Sequence, residues 1–258
     1  MNSKRAKNTI LFAIGTAFVF FHLCTATFGV IPGIGQKAYH LLFVLVLFFL
    51  KDAFKEGQRT LWRAMDVIMI LGAISSIWYI IKIDATLDLR AGIVYPSDIV
   101  FGFILIAVLL FAAWRCVGAS LSIIVICFIL YGFFGRVMPS FLRHAGMNAG
   151  RIVNLSVLTT EGIFGSALYA SAVYIVLFVI LGSLFNETGV GDYFTSVASM
   201  AFGRMTGGPA KVAVVASGFF GSINGSAIAN VIGTGTFTIP MMKKHGFEPE
   251  FAGAVEAS

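Results

Sequence analysis

The chain has 258 residues, 58% of them hydrophobic and 12% charged, with a formal net charge of +6 and a mean hydropathy of +0.92. So apolar a composition is that of an integral membrane protein and excludes a soluble core. The positive balance does not indicate nucleic acid, because no basic stripe with interleaved aromatics occurs and Lys and Arg gather beside apolar segments, as topogenic charges do.

The first residues carry Lys4, Arg5 and Lys7 and lead into an apolar segment from Thr9 to Ile31. This exceeds the roughly 7–15-residue core of a signal peptide and lacks a small-residue cleavage site. It is expected to be a retained spanning helix with a cytoplasmic N-terminus. Pro32 to Gly35 breaks the chain. A second span returns through Leu41 to Leu50, reaching spanning length only by taking in Lys37 to His40 or Lys51 to Phe54. The following loop, with Lys51, Lys55, Arg59 and Arg63, is expected inside.

Further spans are expected at Ala64 to Ile81, Ile99 to Trp114, Ala119 to Phe134 and Ile163 to Leu184. Asp66, at the inner edge of the third, is expected to face water or a neighbouring Arg. Gly135 to Glu161 is more polar and reads as an external loop with a short, partly inserted helix. Its Arg136, Arg143 and Arg151 run against the positive-inside expectation and leave open a contact with a soluble partner.

From Val190 to Met205, Tyr193, Phe194, Val197, Met200 and Ala201 recur at helical spacing beside Asp192, Ser196, Ser199 and Arg204. That is an amphipathic, interfacial helix. Cys24, Cys116 and Cys127 read as buried thiols, and His22, His40, His144 and His245 are scattered without zinc spacing, so no transition metal is expected.

The stretch from Gly207 to Lys244 differs from a plain spanning helix. It is apolar, yet seven glycines fall between Gly207 and Gly235, and Ser222, Asn224, Gly225 and Ser226 sit at its middle. Irregular backbone at membrane depth survives only where it is buried or lines a cavity. Two apolar arms around a Ser/Asn/Gly tip therefore predict a re-entrant hairpin or broken helix, which gathers oxygen atoms and helix ends at one point to hold ions or anionic solutes. Ser222, Asn224, Gly225 and Ser226 are the candidate ligands, with Asn230 as an amide one turn on. Gly221 and Gly233 supply backbone geometry, and Pro240 is expected to break or kink the outgoing arm. The competing reading is helix packing: Gly221, Gly225, Ala229 and Gly233 are spaced by four, a stripe that lets membrane helices approach closely. Lys211 either snorkels to the interface or pairs with Glu187 or a substrate carboxylate. Glu248 to Phe251 reads as the start of a further helix.

Three parts of this stretch carry a family resemblance: Gly-Gly-Pro-Ala-Lys at Gly207 to Lys211, Gly-Ser-x-x-Gly-Ser at Gly221 to Ser226, and Thr-Ile-Pro-Met-Met-Lys at Thr238 to Lys243. With Leu168 to Phe194 upstream, they resemble the large membrane subunit of TRAP (tripartite ATP-independent periplasmic) transporters, in the branch that fuses the small and large subunits. Asn224 stands where the family tip usually has the first serine of Ser-Gly-Ser.

The resemblance implies an all-α, polytopic fold. A small-subunit-like four-helix region with a linker helix over residues 1–135 is followed, over 136–258, by the N-terminal part of the large transport subunit, ending in an amphipathic arm and the hairpin of an elevator-type carrier. It further implies a bacterial inner-membrane permease that imports organic acids delivered by a periplasmic substrate-binding protein. A sodium or proton gradient would drive it, with a sodium ion near Ser222, Asn224 and Ser226 as the only cofactor-like species. Nothing resembles a nucleotide-binding loop. Such carriers build the site from two repeats, and one broken element is visible, so the chain is expected to be the first part of a longer transporter. A non-transporting scaffold is the rival reading. An intramembrane enzyme ranks below both, because no convergent nucleophile and base emerge.

Overall fold

The computed structural model describes residues 2–55, 57–90, 92–223 and 227–258, and every regular element among them is helical. Helices α1 (Asn2–Phe28), α2 (Gly35–Ala53), α3 (Thr60–Leu87), α4 (Pro96–Cys116) and α5 (Ala119–Phe134) come first. A short α6 (Ala149–Val153) follows, continued by a π-helical turn, Asn154–Leu158. Then come α7 (Ser166–Ala170), a second π-helical turn, α8 (Val176–Glu187), α9 (Val190–Phe202), α10 (Gly208–Ile223), α11 (Ala227–Lys244) and α12 (Pro249–Ala257). The chain divides into two compact units, Met1–Val173 and Tyr174–Ser258.

Among the described residues, four helices are long and apolar enough to cross a membrane: Arg5–Phe28, Thr60–Leu87, Pro96–Cys116 and Ser166–Leu184. The second and fifth expected spans are helical but fall short of that measure. The first turns of α2 hold Gln36, Lys37 and His40, all buried against protein. The 16 residues of α5 rise only about 24 Å, less than the roughly 30 Å hydrocarbon core.

In the first unit α2, α3 and α4 pack around Leu45, Phe49, Ile77 and Leu105, with Val153, Val157 and Phe164 closing one end. At Gly102 two elements approach closely: a Cβ there would meet Val153 Cγ1 at 2.4 Å. Outward faces are apolar, as in Phe12, Phe20, Leu71 and Ile124, which suits a surface that meets lipid. Cys116 and Cys127 lie on such exposed faces and Cys24 is half-buried, so the expected buried thiols are not found. Small side chains on outward helical faces gain nothing by turning inward when the surrounding medium is itself apolar.

Each end of the α3–α4 pair is pinned by a buried aspartate. At one end Asp98 (1% exposed) accepts from Arg90, from the Tyr79 hydroxyl at 2.5 Å and from the Tyr95 N–H at 2.7 Å. At the other Asp66 (0% exposed) pairs with Arg115 and accepts from Gln58 Nε2 at 2.9 Å. Of the two alternatives for Asp66, the neighbouring Arg is the one realised.

The polar stretch after α5 folds back on its end. Met147 N–H donates to Gly132 O at 2.8 Å, His144 N–H to Gly135 O at 3.1 Å, and Arg136 Nε to Ala145 O at 2.6 Å. Asn148 then caps α6, its Oδ1 accepting from Arg151 N at 2.8 Å.

In the second unit α9 sets Ala198 against Val212 and Ala216 of α10, while Tyr193 and Met200 point outward, 66% and 81% exposed. Of the five apolar residues expected to share its buried face, Phe194 and Val197 are half-buried while Tyr193, Met200 and Ala201 are exposed, and the residue set inward is the small Ala198. A second cluster, Ala213, Met242 and Ala252, ties α10, α11 and α12 together. Pro240 does not end α11, which runs on through it to Lys244. A proline removes one donor from the ladder, but membrane helices tolerate this where neighbouring groups restore the lost bond.

Candidate functional site

The expected site lies where α10 meets α11, and α11 folds back along α10. Asn230 Nδ2 donates to Ser217 Oγ at 3.0 Å, thirteen residues upstream. A Cβ added to Gly221 would meet the same amide at 3.2 Å. Gly221 therefore serves close packing, as the small-residue stripe requires, and leaves room for Asn230 to reach across. The other end of that amide, Oδ1, is buried and has no hydrogen-bond partner among the described residues. An orphaned amide oxygen in a protein interior costs free energy unless something donates to it.

Of the remaining candidates, Ser222 is exposed at the end of α10, its Oγ donating to Phe219 O at 2.7 Å. Asn224, Gly225 and Ser226 lie outside the described residues. Gly233 is half-buried on α11, its carbonyl accepting from Thr236 Oγ1 at 2.9 Å. Pro240 is exposed, two turns beyond. The structure thus brings Ser217, Gly221 and Asn230 together, while the Ser222 hydroxyl turns back to its own helix. Lys211 is exposed and makes no ion pair with a described carboxylate, so pairing with Glu187 is not realised and the snorkelling arrangement fits.

Sequence reading missed Glu256. It sits on α12, 3% exposed, and its two carboxyl oxygens accept from the Thr234 and Thr238 hydroxyls of α11. Both threonines are fully buried. Gly235 is the position over which the Glu256 side chain lies, its Cγ 3.2 Å from where a Cβ would be. No basic side chain pairs with Glu256 among the described residues. The available signal was the i, i+4 spacing of Thr234 and Thr238, which puts both hydroxyls on one helix face, together with a lone carboxyl in the small-residue run Ala252 to Ala257.

The first unit holds a second buried polar cluster that sequence spacing hid. His40 Nδ1 lies 3.1 Å from His22 Nε2, and His40 Nε2 lies 3.2 Å from Ser171 Oγ. Gln36 Nε2 donates to Thr25 Oγ1 at 3.1 Å. Histidines eighteen residues apart on different helices carry no local motif, and only the α1–α2 turn brings them together.

Comparison with known proteins places this geometry in context. Over 250 aligned positions the chain is 26% identical to the sialic acid TRAP transporter permease protein SiaT of Haemophilus influenzae, covering 84% of this chain and 39% of SiaT. It is 32% identical over 81 residues to the sialic acid TRAP transporter large permease protein SiaM of Vibrio cholerae, covering 31% of this chain and 19% of SiaM. Over 81 residues it is 28% identical to the C4-dicarboxylate TRAP transporter large permease protein DctM of Rhodobacter capsulatus, covering 31% of this chain and 18% of that one. The chain thus spans less than half the length of each of these relatives. No solved structure matches it. The family model of the tripartite ATP-independent periplasmic transporter, DctM component, matches residues 103–258, more than half of the chain. This polytopic helical chain, with its α10–α11 pair inside the matched stretch, therefore belongs to the TRAP transporter permease family.

Proposed function

We propose that the chain is the membrane permease part of a secondary transporter in the bacterial inner membrane, importing small carboxylates received from a periplasmic substrate-binding protein. It carries solute rather than catalysing a reaction. The observation that carries this reading is the α10–α11 pair. Two helices are held by Asn230 against Ser217 and Gly221, are joined in sequence through Ser, Asn and Gly residues, and retain an amide oxygen with no partner among the described residues. Oxygen atoms at a break between membrane helices are the usual means of holding a coupling cation or an anionic solute. Sodium or a proton would supply the driving force, with sodium held near Ser222, Asn224 and Ser226.

The two large permeases each align over 31% of the chain, whereas SiaT aligns over 84% of it. That contrast supports the fused arrangement, with a small-subunit-like region over residues 1–135 and the start of the transport subunit over 136–258. In this reading α9 is an arm beside the moving element of an elevator-type carrier, and the α10–α11 pair is its re-entrant hairpin. Arg143 and Arg151 are exposed on the stretch between α5 and the π-helical turn. They offer positive charge to the soluble binding protein, while Arg136 is already engaged with Ala145 O. The relatives are named for sialic acid and C4-dicarboxylates, which are carboxylic acids, and this supports the solute class.

The test replaces Asn224 and Ser226 with alanine in the intact transporter. Gradient-driven uptake of labelled carboxylates into proteoliposomes should be abolished, while membrane insertion is unchanged. Gly221 packing against Asn230 also favours a scaffold without transport; that reading requires the two substitutions to be silent and Gly221→Leu to disturb folding. Undiminished uptake in the double variant would sink the site assignment.

A further inference from the structure

Away from the α10–α11 pair, the ends of α2, α3 and α4 surround an open groove of about 590 Å³. Its floor is Asp52 and Arg115, with Asp66 wholly buried beneath them: Arg115 Nη2 lies 2.8 Å from Asp52 Oδ2 and its Nη1 contacts Asp66. Two carboxylates face one guanidinium, so the floor carries a formal charge of about −1 when all three are ionised. Asp52 keeps 30% of its side chain open to the groove. Gln58 spends its Nε2 on Asp66, at 2.9 Å, and its Oε1 is buried with no donor among the described residues. The floor therefore offers acceptors in excess of donors.

Among the described residues the rim has the opposite character. Lys55 and Arg59 line the groove, are exposed, and pair with no described carboxylate. Trp62 and Trp114 line it too, their rings 6.5 Å apart. Indole rings at the end of spanning helices mark the headgroup level of a bilayer. A ligand that fits must be anionic where it meets the rim, able to donate several N–H bonds where it meets the floor, and present at the membrane interface.

We infer that the groove is a binding site for the phosphoethanolamine headgroup of a phospholipid. The phosphate sits between Lys55 and Arg59, and the primary ammonium donates to Asp52. A purely anionic headgroup satisfies the rim alone and is repelled by the floor. Phosphatidylcholine satisfies the rim and cancels the floor charge, but its quaternary ammonium has no N–H to give. The site goes beyond the transport reading and does not depend on it.

The test measures retention of added lipid by native mass spectrometry of the purified chain in detergent, using phosphatidylethanolamine, phosphatidylcholine and phosphatidylglycerol with identical acyl chains. A hydrogen bond to a charged group predicts that phosphatidylethanolamine is retained about tenfold better than phosphatidylcholine. Asp52→Asn should shrink that ratio at least threefold or so by the same argument. Lys55→Ala with Arg59→Ala should weaken retention of both lipids alike, leaving the ratio intact. Both side chains are exposed, so folding survives their loss, and detergent unfolding of each variant verifies it. Equal retention of the ethanolamine and choline lipids overturns the proposal, as does preference for phosphatidylglycerol or unchanged retention in the Lys55/Arg59 variant.

Discussion

Replacing Arg115 with alanine is expected to destabilise the first unit by about 3–5 kcal/mol, because it strands a buried carboxylate. Asp66 is wholly buried, and without Arg115 its remaining donor among the described residues is Gln58 Nε2 at 2.9 Å. Asp52 loses its partner as well, and the guanidinium leaves the faces of Trp62 and Phe111, which it approaches at 5.7 and 5.6 Å. Arg115→Lys keeps the charge but cannot fork to both carboxylates, so an intermediate loss is expected. Combining Arg115→Met with Asp66→Asn should recover most of the stability, since it removes the charge that would be stranded. The matching change at the other end, Arg90→Ala, should cost less, about 1–3 kcal/mol. Asp98 keeps the Tyr79 hydroxyl and the Tyr95 N–H. Unfolding in mixed micelles titrated with a denaturing detergent measures all four; an Arg115→Ala midpoint at the wild-type value would refute the pinning role.

The contact between α11 and α12 predicts an asymmetry. Glu256→Ala leaves the Thr234 and Thr238 hydroxyls with acceptors on their own helix, Asn230 O and Thr234 O, each at 2.9 Å. The loss is then two interhelical hydrogen bonds and a small cavity, about 2–3 kcal/mol. Thr234→Val with Thr238→Val instead removes the donors and leaves both oxygens of a buried carboxyl unsatisfied, at about 1–3 kcal/mol for each. The threonine pair should therefore be the more damaging change, and adding Glu256→Ala to it should restore stability rather than lower it further. The same unfolding titration decides. If Glu256→Ala proves the worse variant, the threonines are not what holds this carboxyl.

These pairings show where sequence reading reached and where it stopped. The bounds of α5, Ala119–Phe134, were legible as an unbroken apolar run, while α4, Pro96–Cys116, extends beyond the expected Ile99 to Trp114 at both ends because polar first and last turns carry no apolar signal. Long-range partners were not. Apolar periodicity reports which face is buried but not which polar group meets it, so His22 beside His40 and Glu256 beside Thr234 carried no local sign. Asp66 was legible as far as a neighbouring arginine, yet its partner lies 49 residues away on α4. Of the break or kink expected at Pro240, the break is not realised, because a membrane helix can restore the lost hydrogen bond through neighbouring groups. At the candidate site, the small-residue stripe and the amide were both legible, and the structure joins them: Gly221 is small where Asn230 crosses. What sequence lacked was Ser217, an unremarkable serine until α11 folds back over it.

Transport driven by an ion gradient is the central claim, and uptake of labelled carboxylates into proteoliposomes tests it most directly. The chain would be reconstituted as given and extended through its neighbouring coding sequence, with and without a periplasmic binding protein and an imposed sodium or proton gradient. Uptake that needs both the binding protein and the gradient, and is indifferent to ATP, is the result predicted for the transporter that contains this chain. Uptake that persists when both gradients are collapsed, or that proceeds unchanged without a binding protein, would contradict it.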